Sequence, residues 1–245
     1  MENLMKMMRY QTLRDGVAWA VMAIMVLFGF FMADGYLDNV MGQADRAAKS
    51  LDDVFGGMVY DSTFLLVILS ALLALRVGQA FSGRTIDLLV SAGHSRSVIY
   101  TALVLNNLLV FNLAALLYPC VGTLRELGHF AGHLDAAAFV VIAKVALYAL
   151  LLNSAVFLLV IALSIWLRAA LTAMAVAALG VFALALYMGY GMMMNLPVAF
   201  LPIAQVRFVA EAGGLLQQGA LLVGAVWIVV GVFLGWVGFR RCDLK

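Results

Sequence analysis

The sequence predicts an all-α, polytopic membrane protein, and three observations carry that reading. Of 245 residues, 66% are hydrophobic and only 11% are charged, and the mean hydropathy is +1.07. Soluble domains carry roughly 45–50% apolar and about 25% charged residues, so these charges are too few to cover a globule of this size in water. The charges are also clustered, and the intervals between them suit helical spans of about 20 apolar residues. Finally, Lys and Arg are unevenly divided between alternate intervals. This composition excludes a soluble enzyme, a nucleic-acid binder and a disordered chain. The length holds about six or seven spans and no sizeable soluble domain, so residues 1–245 read as one transmembrane domain.

Residues 1–14 read as an interfacial amphipathic helix. Met1, Leu4, Met5 and Met8 gather on one side, opposite Glu2, Lys6 and Arg9. A basic tail that only sets topology is the plainer alternative. The uncharged run between Asp15 and Asp34 gives a first span over 16–34. It is longer than a signal-peptide apolar region and no small-x-small cleavage site follows, so a cleaved signal is not expected. The second span, 58–79, contains an uncharged run of fourteen residues between Asp61 and Arg76. It must bury Asp61 or let Arg76 snorkel. The third and fourth spans cover 97–122 and 137–166, the latter interrupted by Lys144. The run over 169–206 is too long for one helix and contains Gly189, Gly191, Asn195, Pro197 and Pro202. Proline removes a backbone donor and kinks or ends helices. A fifth span over 169–190 is therefore followed by an apolar segment too short to cross and return, expected to be re-entrant or interfacial on the outer side. The sixth span covers 214–239.

Orientation follows from the basic residues. Lys6, Arg9, Arg14, Arg76, Arg84, Arg96, Arg168, Arg240, Arg241 and Lys245 fall on one side, ten of the fifteen. Arg46, Lys49, Arg125 and Arg207 fall on the other, and Lys144 lies within a span. The first outer loop is instead acidic, with Asp34, Asp38, Asp45, Asp52 and Asp53. Both termini are expected to be cytoplasmic. Cys120 and Cys242 then fall at opposite faces, so no disulfide or thiolate metal site is expected.

The cytoplasmic loop between spans two and three, residues 81–96, has more pattern than topology needs. Ile86, Leu89 and Val90 lie on one helical face, with Arg84, Asp87 and Ser91 opposite. Ser82 is a candidate N-cap, Gly93 suits the left-handed position that ends a helix, and Ser95 suits the cap of the next one. A short amphipathic helix parallel to the membrane is expected. It either docks a partner, which could then move spans two and three together, or only anchors the loop at the interface.

This loop resembles that of type-2 ABC transporter permeases, most closely small bacterial permeases of the bacitracin and lantibiotic export or immunity kind. The matching residues are Phe81, Arg84, Thr85, Ile86, Leu88, Leu89, Gly93, Ser95, Arg96, Ile99 and Tyr100. The resemblance extends to the N-terminal helix, six spans, the outer apolar segment after span five and the ending Phe239-Arg240-Arg241-Cys242-Asp243-Leu244. Ser82-Gly83 and Leu103 depart from the pattern, which often has an acidic residue and a lysine there. The resemblance implies an exporter's membrane subunit in the bacterial cytoplasmic membrane. Its coupling helix would dock an ABC ATPase subunit through Arg84, Thr85, Asp87, Leu88, Gly93, Ser95 and Arg96. A second permease chain, identical or not, completes the implied unit. The chain has no G-x-x-x-x-G-K-[ST] phosphate loop, so ATP and Mg are expected on the partner and no cofactor on this chain. The implied cargo is an amphipathic or lipophilic compound or peptide. A non-transporting immunity or sensing subunit that binds a peptide antibiotic is the alternative.

Other polar residues have two readings each. Lys144 either snorkels or pairs with Asp135 or Asp61, or belongs to a translocation path. Asn106, Asn107, Asn112 and Asn153 either join that path or make interhelical hydrogen bonds. Glu126, His129 and His133 have a spacing that could gather metal ligands. Leu124, Leu127, Phe130 and Leu134 make the same stretch an ordinary interfacial helix, and no metal site is expected. No intramembrane catalytic constellation is present. Gly231 and Gly235 form a G-x-x-x-G in span six, suited to packing within or between subunits.

Overall fold

The computed structural model describes residues 2–40, 47–130, 135–215 and 217–242, and the regular elements among them are helices. In order they are α1 (Glu2–Arg14), α2 (Gly16–Met32), α3 (Gly35–Asp38), α4 (Leu51–Ser82), α5 (Thr85–Ser91), α6 (Arg96–Arg125), a 3-10 turn (Glu126–Gly128), α7 (Ala136–Leu167), α8 (Ala170–Met193), α9 (Pro202–Glu211) and α10 (Gln218–Arg240). Five of them, α4, α6, α7, α8 and α10, are long and apolar enough to cross a membrane. The pair α1–α2, bent by 62° at Asp15, adds a sixth if read as one broken span. This is the inventory of a polytopic membrane protein.

Polar residues start the helices and crowded small residues join them. Asp15, Ser50 and Asp135 each accept a backbone N–H at the start of α2, α4 and α7. Asp52 and Asp53 sit in the first turn of α4, where the helix dipole favours acids. The most apolar stretches of α6 and α7 are 67% and 61% buried, against 28% for α8 and 22% for α10. Thus α6 and α7 form the centre with α4. Around them, α2 lies on α6, α8 on α4 and α10 on α7, while α9 wedges between α4 and α7. The closest approaches are at glycines. A Cβ at Gly29 would stand 2.5 Å from the Tyr118 carbonyl oxygen, and one at Gly78 would stand 2.6 Å from the Ala170 Cα.

The G-x-x-x-G of α10 packs inside this chain. A Cβ at Gly231 would stand 2.7 Å from the Leu158 Cβ, and one at Gly235 would stand 2.7 Å from the Tyr100 hydroxyl. That hydroxyl donates to the Val232 carbonyl at 2.8 Å. Gly231→Val is therefore expected to force α10 off α7 and to cost about 1–3 kcal/mol in detergent unfolding. Gly189→Ala serves as the control, because a Cβ there meets no atom within 4 Å.

Several boundaries differ from the sequence reading. Helix α4 begins at Leu51 rather than 58, because the cap and first-turn acids that looked like loop residues start it. Ser82 is not an N-cap: it ends α4, and its hydroxyl donates back to the Gly78 carbonyl. Ser95 occupies the cap position of α6 with extended backbone, but its side chain caps no N–H. Helix α8 runs on to Met193, past the glycines, which end nothing without a following proline. The stretch proposed to place Glu126 and His129 on one helix is a 3-10 turn as far as Gly128, and His133 and Leu134 lie outside the described residues.

Candidate functional site

Helix α5 has its own amphipathic logic. Ile86 and Leu89 are 2% and 7% exposed and face the bundle, whereas Leu88 is 67% exposed. Arg84, Ser91, Gly93 and Ser95 are also exposed, and Thr85 and Asp87 are half-buried. Two left-handed residues fold the chain into and out of α5, Arg84 with φ 55° and Gly93 with φ 87°. Glycine adopts this conformation freely, but at a residue with a Cβ it costs roughly 1–2 kcal/mol. An arginine there carries strain that glycine would avoid. Arg96 does not extend into solvent with Arg84. Its guanidinium donates to the Arg240 and Cys242 carbonyls at 3.0 Å each, closing the C-terminal end of α10.

Beneath α5 lies a polar joint centred on Arg76. Its Nε sits 2.5 Å from Asp15 Oδ2. Its two terminal nitrogens donate to Asn107 Oδ1 at 3.1 Å and Thr12 Oγ1 at 2.7 Å. Asn106 Nδ2 also donates to Thr12 Oγ1, at 3.0 Å, and Asp15 Oδ1 caps α2 at Val17 N. The Arg76 and Asp15 side chains are 11% and 23% exposed. One guanidinium thus ties the α1–α2 elbow, α4 and α6 together. A cavity of about 260 Å³ opens beside it, lined by Gln11, Asp15, Arg76, Gln79, Asn106 and Asn107 and, from α5, by Thr85, Ile86 and Leu89. Helix α5 thus forms one wall of this cavity and the joint another.

The joint was only partly visible in the sequence. Asn106 and Asn107 were candidates for a path, and Arg76 looked like a snorkelling residue. In the sequence Asp15 marks only the start of the first apolar run, and no pattern singles out Thr12. The available signal was that Arg76 lies six residues inside the end of α4, too deep to be left without a partner.

The other proposed path residues are scattered. Asn112 Nδ2 donates to Ser154 Oγ at 2.9 Å, joining α6 to α7. The Oδ1 atoms of Asn112 and Asn153 are buried with no partner among the described residues. Lys144 is exposed on α7 and pairs with neither Asp135 nor Asp61; Asp135 instead caps Ala137. The Asn112–Ser154 bond is expected to be worth about 0.6 kcal/mol in a double-mutant cycle with Asn112→Ala and Ser154→Ala, read by unfolding in detergent.

The opposite end of the bundle holds a second set of buried polar groups. Arg207 of α9 is 8% exposed. It stacks on Tyr60 at 4.4 Å from the ring centre and donates to Thr63 Oγ1 at 3.2 Å. The sequence reading counted it as an outer-loop cation, whereas α9 packs it against α4. Tyr36 and Tyr118 share a hydroxyl–hydroxyl bond of 2.9 Å, and burial pushes the Tyr36 phenol up. Arg125 pairs with Asp34 at 2.5 Å, and the buried Glu126 Oε2 lies 2.8 Å from His129 Nδ1. Among the described residues, no group of three or more His, Cys, Asp or Glu side chains could hold a metal ion. Cys120 and Cys242 form no disulfide, and the Cys242 Sγ donates to the Gly238 carbonyl at 3.3 Å.

No protein-family model matches the chain, and no curated protein matches it.

Proposed function

We propose that this chain is the permease subunit of a split ABC exporter, with α5 as the helix on which a separate ATPase subunit seats. One observation carries the reading. A seven-residue helix between two long apolar helices buries Ile86 and Leu89 against the bundle, beside the cavity that the polar joint lines, and leaves Arg84 and Leu88 outward. The resemblance of residues 81–100 to the coupling loop of type-2 permeases supports the same assignment. In this reading six spans cross the bacterial cytoplasmic membrane, α1 lies at its inner surface and both termini are cytoplasmic. The segment from Asn195 to α9 dips into the outer leaflet under cover of α4 and α7.

Closure of the ATPases on ATP would press α5 toward the membrane. The push passes through Ile86 and Leu89 to the Arg76 joint, and so to α1, α2, α4 and α6 at once. The stiff, hydrogen-bonded joint transmits displacement that a loose loop would absorb. The export cargo would be an amphipathic or lipophilic compound or peptide.

The test is to look for a phosphate-loop ATPase in the adjacent reading frame and to co-express it with this chain. Co-purification, and ATP hydrolysis in liposomes that rises with a candidate amphiphile, are the expected results. Failure to co-purify overturns the reading, while binding of a peptide antibiotic without hydrolysis favours an immunity or sensing subunit. Orientation is checked separately. In a Cys120→Ser background, Leu88→Cys is expected to resist a membrane-impermeant maleimide in whole cells and to react after permeabilisation. Reaction in intact cells would invert the topology.

A further inference from the structure

The apolar face of α1 is spent on the bundle. Leu4 and Met8 are buried in the core with Met5 packed beside them, and Thr12 is bonded to Arg76 and Asn106. The opposite face is left outside, and it carries Arg9, Tyr10, Leu13 and Arg14, all exposed. Leu13 is 66% exposed and Tyr10 55%. The Arg14 guanidinium lies 4.5 Å from the centre of the Tyr10 ring. Trp19, in the first turn of α2, continues the patch. It is 55% exposed, and its indole N–H donates to the Leu13 carbonyl at 2.9 Å. Among the described residues neither Arg9 nor Arg14 has a carboxylate partner, and the neighbouring acid, Asp15, is taken by Arg76.

We propose that this outward face of α1, together with Trp19, binds the headgroups of anionic phospholipids. Position, chemistry and charge select that occupant. Val26 and Phe30 follow Trp19 on the same side of α2 and are exposed, so that side stands in hydrocarbon when the bundle sits in a membrane. Trp19 then lies at the headgroup level, where Trp and Tyr side chains are enriched. There α1 turns from α2 by 62°, which lays it more nearly along the membrane surface than away from it. A face made only of cations would suit water or an acidic protein. Here Tyr10, Leu13 and Trp19 alternate with the arginines, so apolar groups can enter the headgroup boundary while the guanidiniums stay at the phosphates. Because Leu4 and Met8 are already buried in the bundle, they cannot hold α1 on a bilayer of any composition. The two guanidiniums therefore decide which lipid is preferred, and a lipid with net negative charge answers them where a zwitterionic one does not. The inference rests on the chain being embedded in a bilayer and needs no ATPase, so its failure and that of the exporter reading are separable.

The experiment reconstitutes the full chain in phosphatidylcholine vesicles containing a minor fraction of phosphatidylglycerol. A photoreactive benzoylphenylalanine replaces Leu13 or, as the reference, Phe31, which is 68% exposed near the far end of α2. After illumination, mass spectrometry reads the ratio of phosphatidylglycerol to phosphatidylcholine adducts. The ratio at position 13 is expected to exceed that at position 31 by at least about fivefold, the factor equivalent to the attraction of one basic residue to an anionic surface. Arg9→Gln with Arg14→Gln should bring it down to the reference ratio, while Arg9→Lys with Arg14→Lys should keep it raised. Equal ratios at the two positions overturn the proposal. So does an enrichment that the glutamine pair leaves unchanged, or one that the lysine pair also abolishes, since charge would then not be what selects the lipid. Adducts at position 13 to a second copy of the chain instead of to lipid would assign the face to a subunit contact and overturn it as well.

Discussion

Arg76→Leu is expected to lower the stability of the bundle by about 3 kcal/mol. The change removes three donated bonds at once, to Asp15, Asn107 and Thr12. It also leaves a carboxylate only 23% exposed without its cation. Removing one partner of a buried ion pair typically costs about 3–5 kcal/mol, because the remaining charge is desolvated and unpaired. The residual access of water to Asp15 places this case at the low end. Asp15→Asn should cost less, since the amide oxygen still caps α2 at Val17 while only the charge is lost. The double variant should cost less than the sum of the two, with a coupling of about 1–3 kcal/mol. Thermal unfolding in detergent checks all three. In a reconstituted complex, Arg76→Leu should also uncouple: ATPase binding persists because α5 keeps its outer face, while cargo-stimulated hydrolysis falls. Stabilities matching the unmodified chain would mean the joint holds nothing together.

Much of the fold was legible because burial in lipid leaves few options. Each long apolar interval had to become a helix, and the predicted third and fourth spans differ from α6 and α7 by at most three residues at either end. The basic residues assigned to one side do meet there: Arg96 reaches the end of α10, and Arg168 reaches the Arg241 carbonyl. Gly93 was readable because its left-handed backbone has a local residue preference. What stayed hidden depends on partners distant in sequence. Arg76 and Asp15 are separated by 61 residues, and Arg207 and Thr63 by 144. No local pattern announces such pairs; a charge in an apolar stretch says only that a partner exists. The start of α4 is hidden for the opposite reason. Asp52 and Asp53 read in the sequence as acids of the first outer loop, whereas they occupy the first turn of α4, where the helix dipole favours them. The division of labour along residues 84–96 was likewise invisible. Arg84 points outward while Arg96 caps a helix, although both are arginines in one motif.

The second large effect is expected at Leu88. Leu88→Asp should weaken association with the partner ATPase by roughly 30-fold or more, the loss of about 2 kcal/mol that marks an interface hot spot. The folded chain should hardly notice, because the side chain is 67% exposed and surface changes of this kind usually stay within about 0.5 kcal/mol. Arg84→Gly gives an independent reading. It removes the guanidinium and at the same time relieves a left-handed backbone, so the bundle should gain about 1 kcal/mol while binding weakens. Stability and affinity moving in opposite directions cannot be produced by partial unfolding. Ile86→Ala is the contrasting case. That side chain is 2% exposed and packs into the bundle, so its truncation should lower stability by about 2–4 kcal/mol.

The central claim is that the outer face of α5 seats an ATPase, and cross-linking from that face tests it most directly. With Leu88→Cys and a short bifunctional reagent, the complex formed with a co-expressed ABC ATPase subunit should give a one-to-one adduct that forms faster when ATP is present. The native Cys120 serves as an internal control, being exposed at the opposite end of α6. The account predicts an adduct through position 88 and none through Cys120. An adduct through Cys120 alone, or none at either position while the two chains remain associated, would contradict it.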